Sequence, residues 1–195
     1  MVITVRRASV ADAATIARIR VCSWRVAYPG LIPDVLLERL DTGREAELRA
    51  RNWRRRNADP RTAQLLALAD GEPVGWAATG PCLDDDRGAA ARGELYALYA
   101  VPEHWSTGVG HALIGAAETA LREAGYRTAS LWVLEGNERA ASFYQRHGWR
   151  PDGAVKDDYR IIGTAAIPPL RERRRVRDLT LPRQAHPERP TARLG

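Results

Sequence analysis

Runs of apolar residues along the chain predict the strands of a sheet. Ala63–Ala69 is such a run and ends at Asp70-Gly71, a dipeptide typical of a two-residue hairpin. Val74–Thr79 is the expected returning strand. Glu94–Val101 and Thr128–Leu134 are rich in apolar and aromatic residues, as strands buried on both faces are.

Apolar residues three and four positions apart predict the helices. The clearest stripe is closed by Gly125 and consists of Val109, Ala112, Leu113, Ala116, Ala117, Ala120, Leu121 and Ala124. The capping pattern of Ser9 and Asp12 predicts an earlier helix. Asn137 is expected to cap a later one.

Two further segments complete the predicted order. Arg44–Asn57 predicts a polar, arginine-rich helix that is solvated on most sides, and Ile161–Leu170 predicts a last strand. The order is then strand, two or three helices, hairpin, strand, helix, strand, helix, strand. A strand, helix, strand unit implies a parallel crossover inside a mixed sheet, so we expect an α/β fold.

Length and composition fit one soluble domain. The chain has 195 residues, 45% of them hydrophobic, which is enough for one core. No apolar run approaches the roughly 20 residues of a membrane helix, and the N-terminus lacks the apolar stretch of a signal peptide. Cys22 and Cys82 have no metal-type spacing. We therefore expect a cytoplasmic protein with neither a membrane partner nor a metal.

The net charge of +6 is concentrated at the C-terminal end of the chain. Between Arg171 and Gly195 there are eight arginines and three acidic residues, so the rest of the chain is nearly neutral. This distribution disfavours nucleic-acid binding by the body of the protein. Residues 178–195 lack periodic apolar positions and predict a basic, disordered tail. The predicted domain therefore spans residues 1–177.

A glycine-rich turn follows the strand Glu94–Val101. Gly108-Val109-Gly110 stands where the long helix begins. Backbone N–H groups at a helix start lack intrahelical partners, and glycine allows a phosphate to approach them. A P-loop would need Lys after these glycines, and a dinucleotide fingerprint would need a third Gly or Ala where Leu113 stands. The alternative is a glycine turn that only packs strand against helix.

A second segment makes the pattern specific. LWVLEGNERAASFYQRHGW, residues 131–149, contains N-x-x-A-x-x-F-Y-x-x-x-G-[FW], which resembles motif B of the GNAT family of N-acetyltransferases. The glycine-rich segment resembles motif A of that family, Q/R-x-x-G-x-G/A. Residues 24–33, WRVAYPGLIP, are similar to the acceptor-side helices of many bacterial members. Trp105 occupies the position where motif A usually has Gln or Arg. Ser106 occupies the next position, where common members of the family have glycine.

The resemblance implies a GNAT fold whose two central strands splay apart, with helices on both faces of the sheet. It also implies acetyl-CoA as co-substrate, with the pantetheine arm in the splay and a backbone N–H near Ala100 or Val101 facing the thioester oxygen. The cofactor-binding residues it implies are Ala100, Val101, Trp105, Ser106, Thr107, Gly108, Val109, Gly110, His111, Asn137, Ala140 and Tyr144.

The same resemblance gives two catalytic candidates. Tyr144 matches the tyrosine that acts as general acid for the departing thiolate, and core packing is the alternative. Glu94 lies fourteen residues before Gly108, where the histone-acetylating branch has its base. A strand-edge carboxylate paired with Arg is the alternative there, and Glu103 and Glu135 are weaker base candidates.

The acceptor is the least determined part of the prediction. Trp24, Tyr28 and Tyr96 are candidates for the wall of the acceptor pocket, although core packing explains aromatic residues equally well. The expected function is transfer of an acetyl group from acetyl-CoA to a primary amine of a small molecule, peptide or protein. A non-catalytic module that senses acetyl-CoA is the alternative. Many relatives form dimers, so a homodimer is possible.

Overall fold

The computed structural model describes residues 1–85, 88–158 and 169–182. Seven strands form one mixed sheet in the order β1-β2-β3-β4-β5-β7-β6. The strands are β1 Ile3–Arg7, β2 Ala63–Ala69, β3 Glu72–Pro81, β4 Arg92–Ala100, β5 Thr128–Leu134, β6 Arg150–Asp158 and β7 Leu170–Asp178. The helices are α1 Ala13–Ala27, α2 Asp34–Glu38, α3 Thr42–Arg51, α4 Trp53–Arg56, α5 Val109–Glu123 and α6 Glu138–Arg146.

The helices cover both faces of this sheet. A side chain added at Gly75 in β3 would meet Leu113 and Val109 of α5. The next residue, Trp76, lies under the guanidinium of Arg49 in α3, 4.5 Å from the ring centroid. Successive residues of a strand point to opposite faces. Helices α5 and α3 therefore lie on opposite faces, as the fold prediction requires.

The hairpin and the parallel crossover form as predicted. Asp70 and Gly71 both have positive φ, 48° and 91°, and connect the antiparallel strands β2 and β3. Positive φ at both positions suits the two-residue turns that match strand twist. Strand β4 runs parallel to β5, with α5 as the crossover between them.

A buried polar cluster connects the motif B segment to helix α5 and strand β7. Trp149 is fully buried, and its indole N–H donates to Glu118 at 3.1 Å. The same carboxylate is ion-paired with Arg177 of β7 at 3.0 Å. Gly148 has φ +83°, and a Cβ there would lie 2.0 Å from Nη1 of Arg177. The Gly-Trp pair of the motif is thus an anchor of the fold.

Several sequence predictions need correction. The predicted helix Arg44–Asn57 is two helices, α3 and α4, and Arg49 within it is 4% exposed rather than solvated. Strand β6 was not among the predicted elements. In the predicted strand Ile161–Leu170, residues 161–168 lie outside the described residues, and Leu170 begins β7.

The predicted boundary between domain and tail also moves. Asp178 is the last residue of β7, and Leu179 is 2% exposed within the main core. The N–H of Leu179 donates to Arg127 O at 2.8 Å. The strand escaped notice because most of its residues are charged, and one of its two buried residues is Arg177. Residues 178–182 therefore belong to the folded unit, and residues 183–195 of the predicted tail lie outside the described residues.

Candidate active site

Strands β4 and β5 diverge soon after they pair. Their parallel pairing covers only Arg92–Glu94 and Thr128–Ser130. The rest of β4 faces a groove of about 1380 Å³, which we call the splay groove. A register shift between β3 and β4 near Tyr96 accompanies the divergence, and such bulges bend a strand. The predicted catalytic and acceptor residues line this groove, and so do the predicted cofactor residues except Val101 and Val109.

The end of β4 offers one backbone donor to the groove. The N–H of Val101 donates to Val74 O at 2.9 Å, so it is already used within the sheet. The carbonyl of Ala100 accepts instead from Ser23 Oγ at 2.9 Å and Trp105 Nε1 at 2.7 Å. Because successive residues direct their backbone groups to opposite sides, the N–H of Ala100 points away from β3. Of the two candidates for the oxyanion donor, the geometry favours Ala100.

The glycine-rich turn forms a cradle of backbone N–H groups at the start of α5. Gly108 has φ +100°, which a glycine adopts readily. The first intrahelical bond is made by Ala112, whose N–H donates to Gly108 O at 3.0 Å. The N–H groups of Val109, Gly110 and His111 therefore have no intrahelical acceptor and suit an anion.

Three residues of the predicted cradle have other roles. The backbone N–H of Trp105 donates to Pro102 O at 3.1 Å, so Trp105 does not contribute it to the cradle. Thr107 uses its hydroxyl to bind His104 O at 2.8 Å. A Cβ on Gly110 would come within 3.1 Å of the Phe143 ring. Gly110 thus also lets α6 pack closely on α5, a contact between two helices that differs from the strand-to-helix packing considered from the sequence.

Arg139 of α6 is a feature that the sequence analysis missed. Its guanidinium lies 3.3 Å from the centroid of the Trp105 ring and lines the splay groove. Burial lowers the pKa of Arg139. Within the described residues no carboxylate forms an ion pair with it. Trp105 therefore stands where motif A usually has Gln or Arg. The guanidinium of Arg139, from α6, lies against its ring.

Helix α6 presents Tyr144 to the groove. Asn137 caps the helix by accepting the N–H of Ala140 at 3.1 Å. Phe143 packs toward α5, and Tyr144 meets it edge to face. Burial raises the pKa of Tyr144, and nearby Tyr99 raises it further. The phenol therefore remains protonated at neutral pH and is available as a donor.

His111 and His147 form a hydrogen-bonded pair beside the cradle. His111 Nδ1 lies 3.1 Å from His147 Nε2, and His147 Nδ1 lies 2.8 Å from Phe143 O. A carbonyl can only accept, so His147 carries its proton on Nδ1 when neutral. His111 then donates from Nδ1. These two hydrogen bonds fix the orientation of both imidazole rings beside the cradle.

Glu94 is a buried carboxylate on the groove. It is 6% exposed, and its Oε2 accepts the N–H of Leu83 at 2.8 Å. Burial raises the pKa of Glu94, and the charge of Asp84 adds to the shift. A carboxylate with a raised pKa is a stronger base than an exposed one. Its surroundings suit a proton acceptor better than a strand-edge ion pair.

Three aromatic residues form one wall of the groove. Trp24 meets Tyr28 edge to face at 4.9 Å and lies 6.4 Å from Tyr99, all measured between ring centroids. Burial raises the pKa of Tyr28, and a hydrogen bond with Tyr99 raises it further. Tyr99 was not among the predicted residues, because its side chain is brought to the groove only by the bend of β4.

Tyr96 differs from the other two predicted acceptor residues. Its ring lines the groove, but its hydroxyl donates to Pro81 O in a short hydrogen bond. Burial raises the pKa of Tyr96. The phenol therefore fastens β4 to the end of β3, and only the ring remains as a candidate contact with an acceptor.

Cys82, Asp84 and Glu94 could be mistaken for a metal site, because their ligand atoms lie within 4.8 Å of one another. The carboxylate of Asp84, however, binds Arg92 at 3.1 Å, Arg174 at 3.0 Å and Trp132 Nε1 at 3.0 Å. Although burial opposes the shift, the bonds from Arg174 and Trp132 hold the pKa of Asp84 below its ordinary value. Two guanidinium groups already neutralise this cluster, so it does not suit a cation.

Comparisons with known proteins agree with this geometry. The sequence profile described as the acetyltransferase (GNAT) family matches residues 24–149. An uncharacterised N-acetyltransferase of Bacillus subtilis, YuaI, is 31% identical over 161 residues, which are 83% of this chain and 87% of that protein.

Two solved structures have a similar fold. PaiA N-acetyltransferase of Thermoplasma acidophilum, in complex with coenzyme A, matches with a TM-score of 0.65 and 24% identity over 88% of this chain and 98% of its own. The acetyltransferase yncA of Salmonella typhimurium, with acetyl-CoA, matches with a TM-score of 0.64 and 19% identity over 91% and 94%. No helix in the described part of the chain is long and apolar enough to cross a bilayer. The sequence match and the splayed sheet together establish that this chain belongs to the GNAT family of acetyltransferases.

Proposed function

We propose that this acetyltransferase moves the acetyl group of acetyl-CoA onto a primary amine by direct attack of the amine on the thioester. The observation that carries the proposal is the splay groove itself. One end has the N–H cradle of α5, and the buried Glu94 and the partly buried Tyr144 line the same groove. Phosphate binding and acid–base chemistry are thus available in one continuous space.

The chain offers a suitable place for each part of the cofactor. The N–H groups of Val109, Gly110 and His111 suit the pyrophosphate. Arg139, an exposed cation with no ion pair among the described residues, would add a side-chain contact to a phosphate. The open edge of β4 beyond Glu94 suits the pantetheine arm, which can bind there as an added strand. When bound, acetyl-CoA supplies an activated acetyl group.

Glu94 accepts the proton that the amine must lose. An alkyl ammonium group has a free pKa of about 10.4, so a base assists its deprotonation near neutral pH. Glu94 acts directly or through one water. The N–H of Ala100 stabilises the negative charge that develops on the thioester oxygen as the new C–N bond forms.

Tyr144 assists the departure of the thiol. The C–S bond breaks as the carbonyl re-forms, and the leaving sulfur takes the phenolic proton or a strong hydrogen bond from it. The ammonium loses two protons on becoming an amide: Glu94 passes the first to solvent and takes the second as the C–N bond forms, and this second proton balances the one lost by Tyr144. The products are an N-acetylated amine and free coenzyme A.

Both cysteines, Cys22 and Cys82, are free thiols, which supports a reducing compartment such as the cytoplasm. The folded unit is proposed to span residues 1–182, with the remainder as a basic tail.

The deciding experiment is an acetyl-CoA consumption assay against a library of amines, with thiol release and product mass as readouts. Amine-dependent thiol release with an acetylated product is expected. Tight binding of acetyl-CoA without acetylation of any amine would instead identify a sensing module.

A further inference from the structure

One end of the splay groove is unusually basic. Arg20 of α1, Arg49 of α3, Arg56 of α4 and Gln64 of β2 line it, and we call these four residues the basic lobe. They line the same groove as Glu94. Because four separate elements contribute to the lobe, its charge could not be read from any local pattern in the sequence.

The lobe has more guanidinium groups than carboxylates. Glu45 pairs with Arg49 at 2.8 Å and with Arg20 at 3.4 Å. Within the described residues these are the only ion pairs formed by Arg20, Arg49 and Arg56. The lobe therefore has three arginines, and Glu45 is the one carboxylate among the described residues that pairs with any of them. Arg56 is exposed.

Arg49 is buried although burial and the neighbouring arginines disfavour its positive charge. It is 4% exposed, and its guanidinium stacks over Trp76. Burial lowers the pKa of Arg49, Glu45 opposes this effect, and the charges of Arg56 and Arg20 lower the pKa further. An anion bound in the lobe would relieve this repulsion between like charges.

The hydrogen-bonding groups of the lobe are complementary to an oxyanion. Trp76 Nε1 donates to Gln64 Oε1 at 2.9 Å, which orients the amide of Gln64 and leaves both of its N–H bonds to offer. Guanidinium groups are donors only. A carboxylate or phosphate-type group accepts several such bonds at once. A second ammonium group, as in a polyamine, would be repelled.

The sheet register fixes the spacing between the lobe and the base. Gln64 opposes Ala78 of β3, and Glu94 opposes Gly80, two residues further along the same strand. Two inter-strand steps and two residues of rise put these Cα atoms about 12 Å apart. This span is longer than an α-amino acid, whose amine and carboxylate share one carbon.

We propose that the acceptor is a small molecule that carries both the reacting amine and an oxyanion several bonds away, with the oxyanion held by the basic lobe while the amine lies beside Glu94. This inference rests on the proposed function and names the class of acceptor. An ω-amino carboxylate is its simplest form.

The test compares ω-amino carboxylates from glycine to 6-aminohexanoate, each with its neutral carboxamide. We expect kcat/KM to rise with chain length and the longer carboxylates to exceed their amides roughly 10-fold or more, as for a charged hydrogen bond. Arg56→Gln should reduce that preference. Arg55, exposed on the same helix but outside the groove, gives the matched control Arg55→Gln, which should keep the preference.

Amides used as well as carboxylates, or a preference unchanged in both Arg56→Gln and Arg49→Gln, would overturn the inference. If Arg49→Gln fails to fold, the exposed Arg56 still decides. Calorimetric binding of 6-aminohexanoate and its amide to the CoA-loaded protein separates this inference from the proposed function. Binding that depends on the carboxylate without acetylation would refute catalysis alone, and equal binding would refute the basic lobe as an oxyanion site.

Discussion

The two sides of the splay groove are built in different ways. The cofactor side, from Glu94 to Trp149, uses backbone N–H groups, glycines and short-range caps that follow one another in sequence. The acceptor side uses side chains from α1, α3, α4, β2 and β7, which are distant in sequence. A backbone cradle tolerates a change such as Trp105, whereas a side-chain pocket changes its ligand when one residue changes. The contrast explains why family membership is readable and the acceptor is not.

The anchor between the two sides gives the largest expected effect. Gly148→Ala would strain a left-handed residue and displace Arg177 from Glu118, so we expect a loss of about 4 kcal/mol in unfolding free energy. Chemical denaturation measures it. An unchanged denaturation midpoint would mean that the cofactor side is stable without the contact between Arg177 of β7 and Glu118.

Leu179 tests the corrected boundary. Leu179→Ala empties a buried site in the core and should cost about 3 kcal/mol. A chain ending at residue 182 should keep the melting temperature of the full chain. If Leu179→Ala were neutral, the C-terminal end of β7 would not belong to the core.

Glu94→Gln tests the proposed base of the splay groove. Turnover should fall by about 100-fold or more, because general bases contribute at least this much. A base works only when deprotonated, so kcat/KM should be lost as pH falls through the raised pKa of Glu94. The variant should lose this limb of the profile. A profile identical to that of the parent would assign the base elsewhere.

Tyr144→Phe addresses the acid on the cofactor side. The ring remains and only the hydroxyl is lost, so the fold and CoA affinity should be preserved while kcat falls about 100-fold. Chemistry must limit the rate for this comparison, which a single-turnover measurement establishes. Full turnover in the variant would leave water as the proton donor.

Arg139→Gln has the smallest expected effect and tests the backbone character of the cofactor side. CoA affinity should weaken about 10-fold, as for one charge-assisted contact. Pantetheine lacks the phosphates and should bind unchanged. Equal weakening of both ligands would mean that Arg139 only packs against Trp105.

Local signals in the sequence predicted a large part of the fold. The Asp70-Gly71 hairpin, the stripe of α5 and the Asn137 cap each depend on neighbours within a few residues, and each appears in the structure. Strand β6 and the arginine-rich β7 were missed because their pairing partners are distant and their inward residues are few. The role of Gly110 needed the position of Phe143, which no local pattern supplies.

By itself the sequence determined the cofactor side, because helix starts, glycine turns and motif spacing act over short distances and leave a visible pattern. Only the tertiary structure decided which groups meet across the groove: Arg139 with Trp105, Tyr99 with Tyr28, and three arginines around Glu45. Burial then set the protonation behaviour of Glu94 and Tyr144, since a pKa depends on the solvent and charges around a group rather than on its neighbours in sequence.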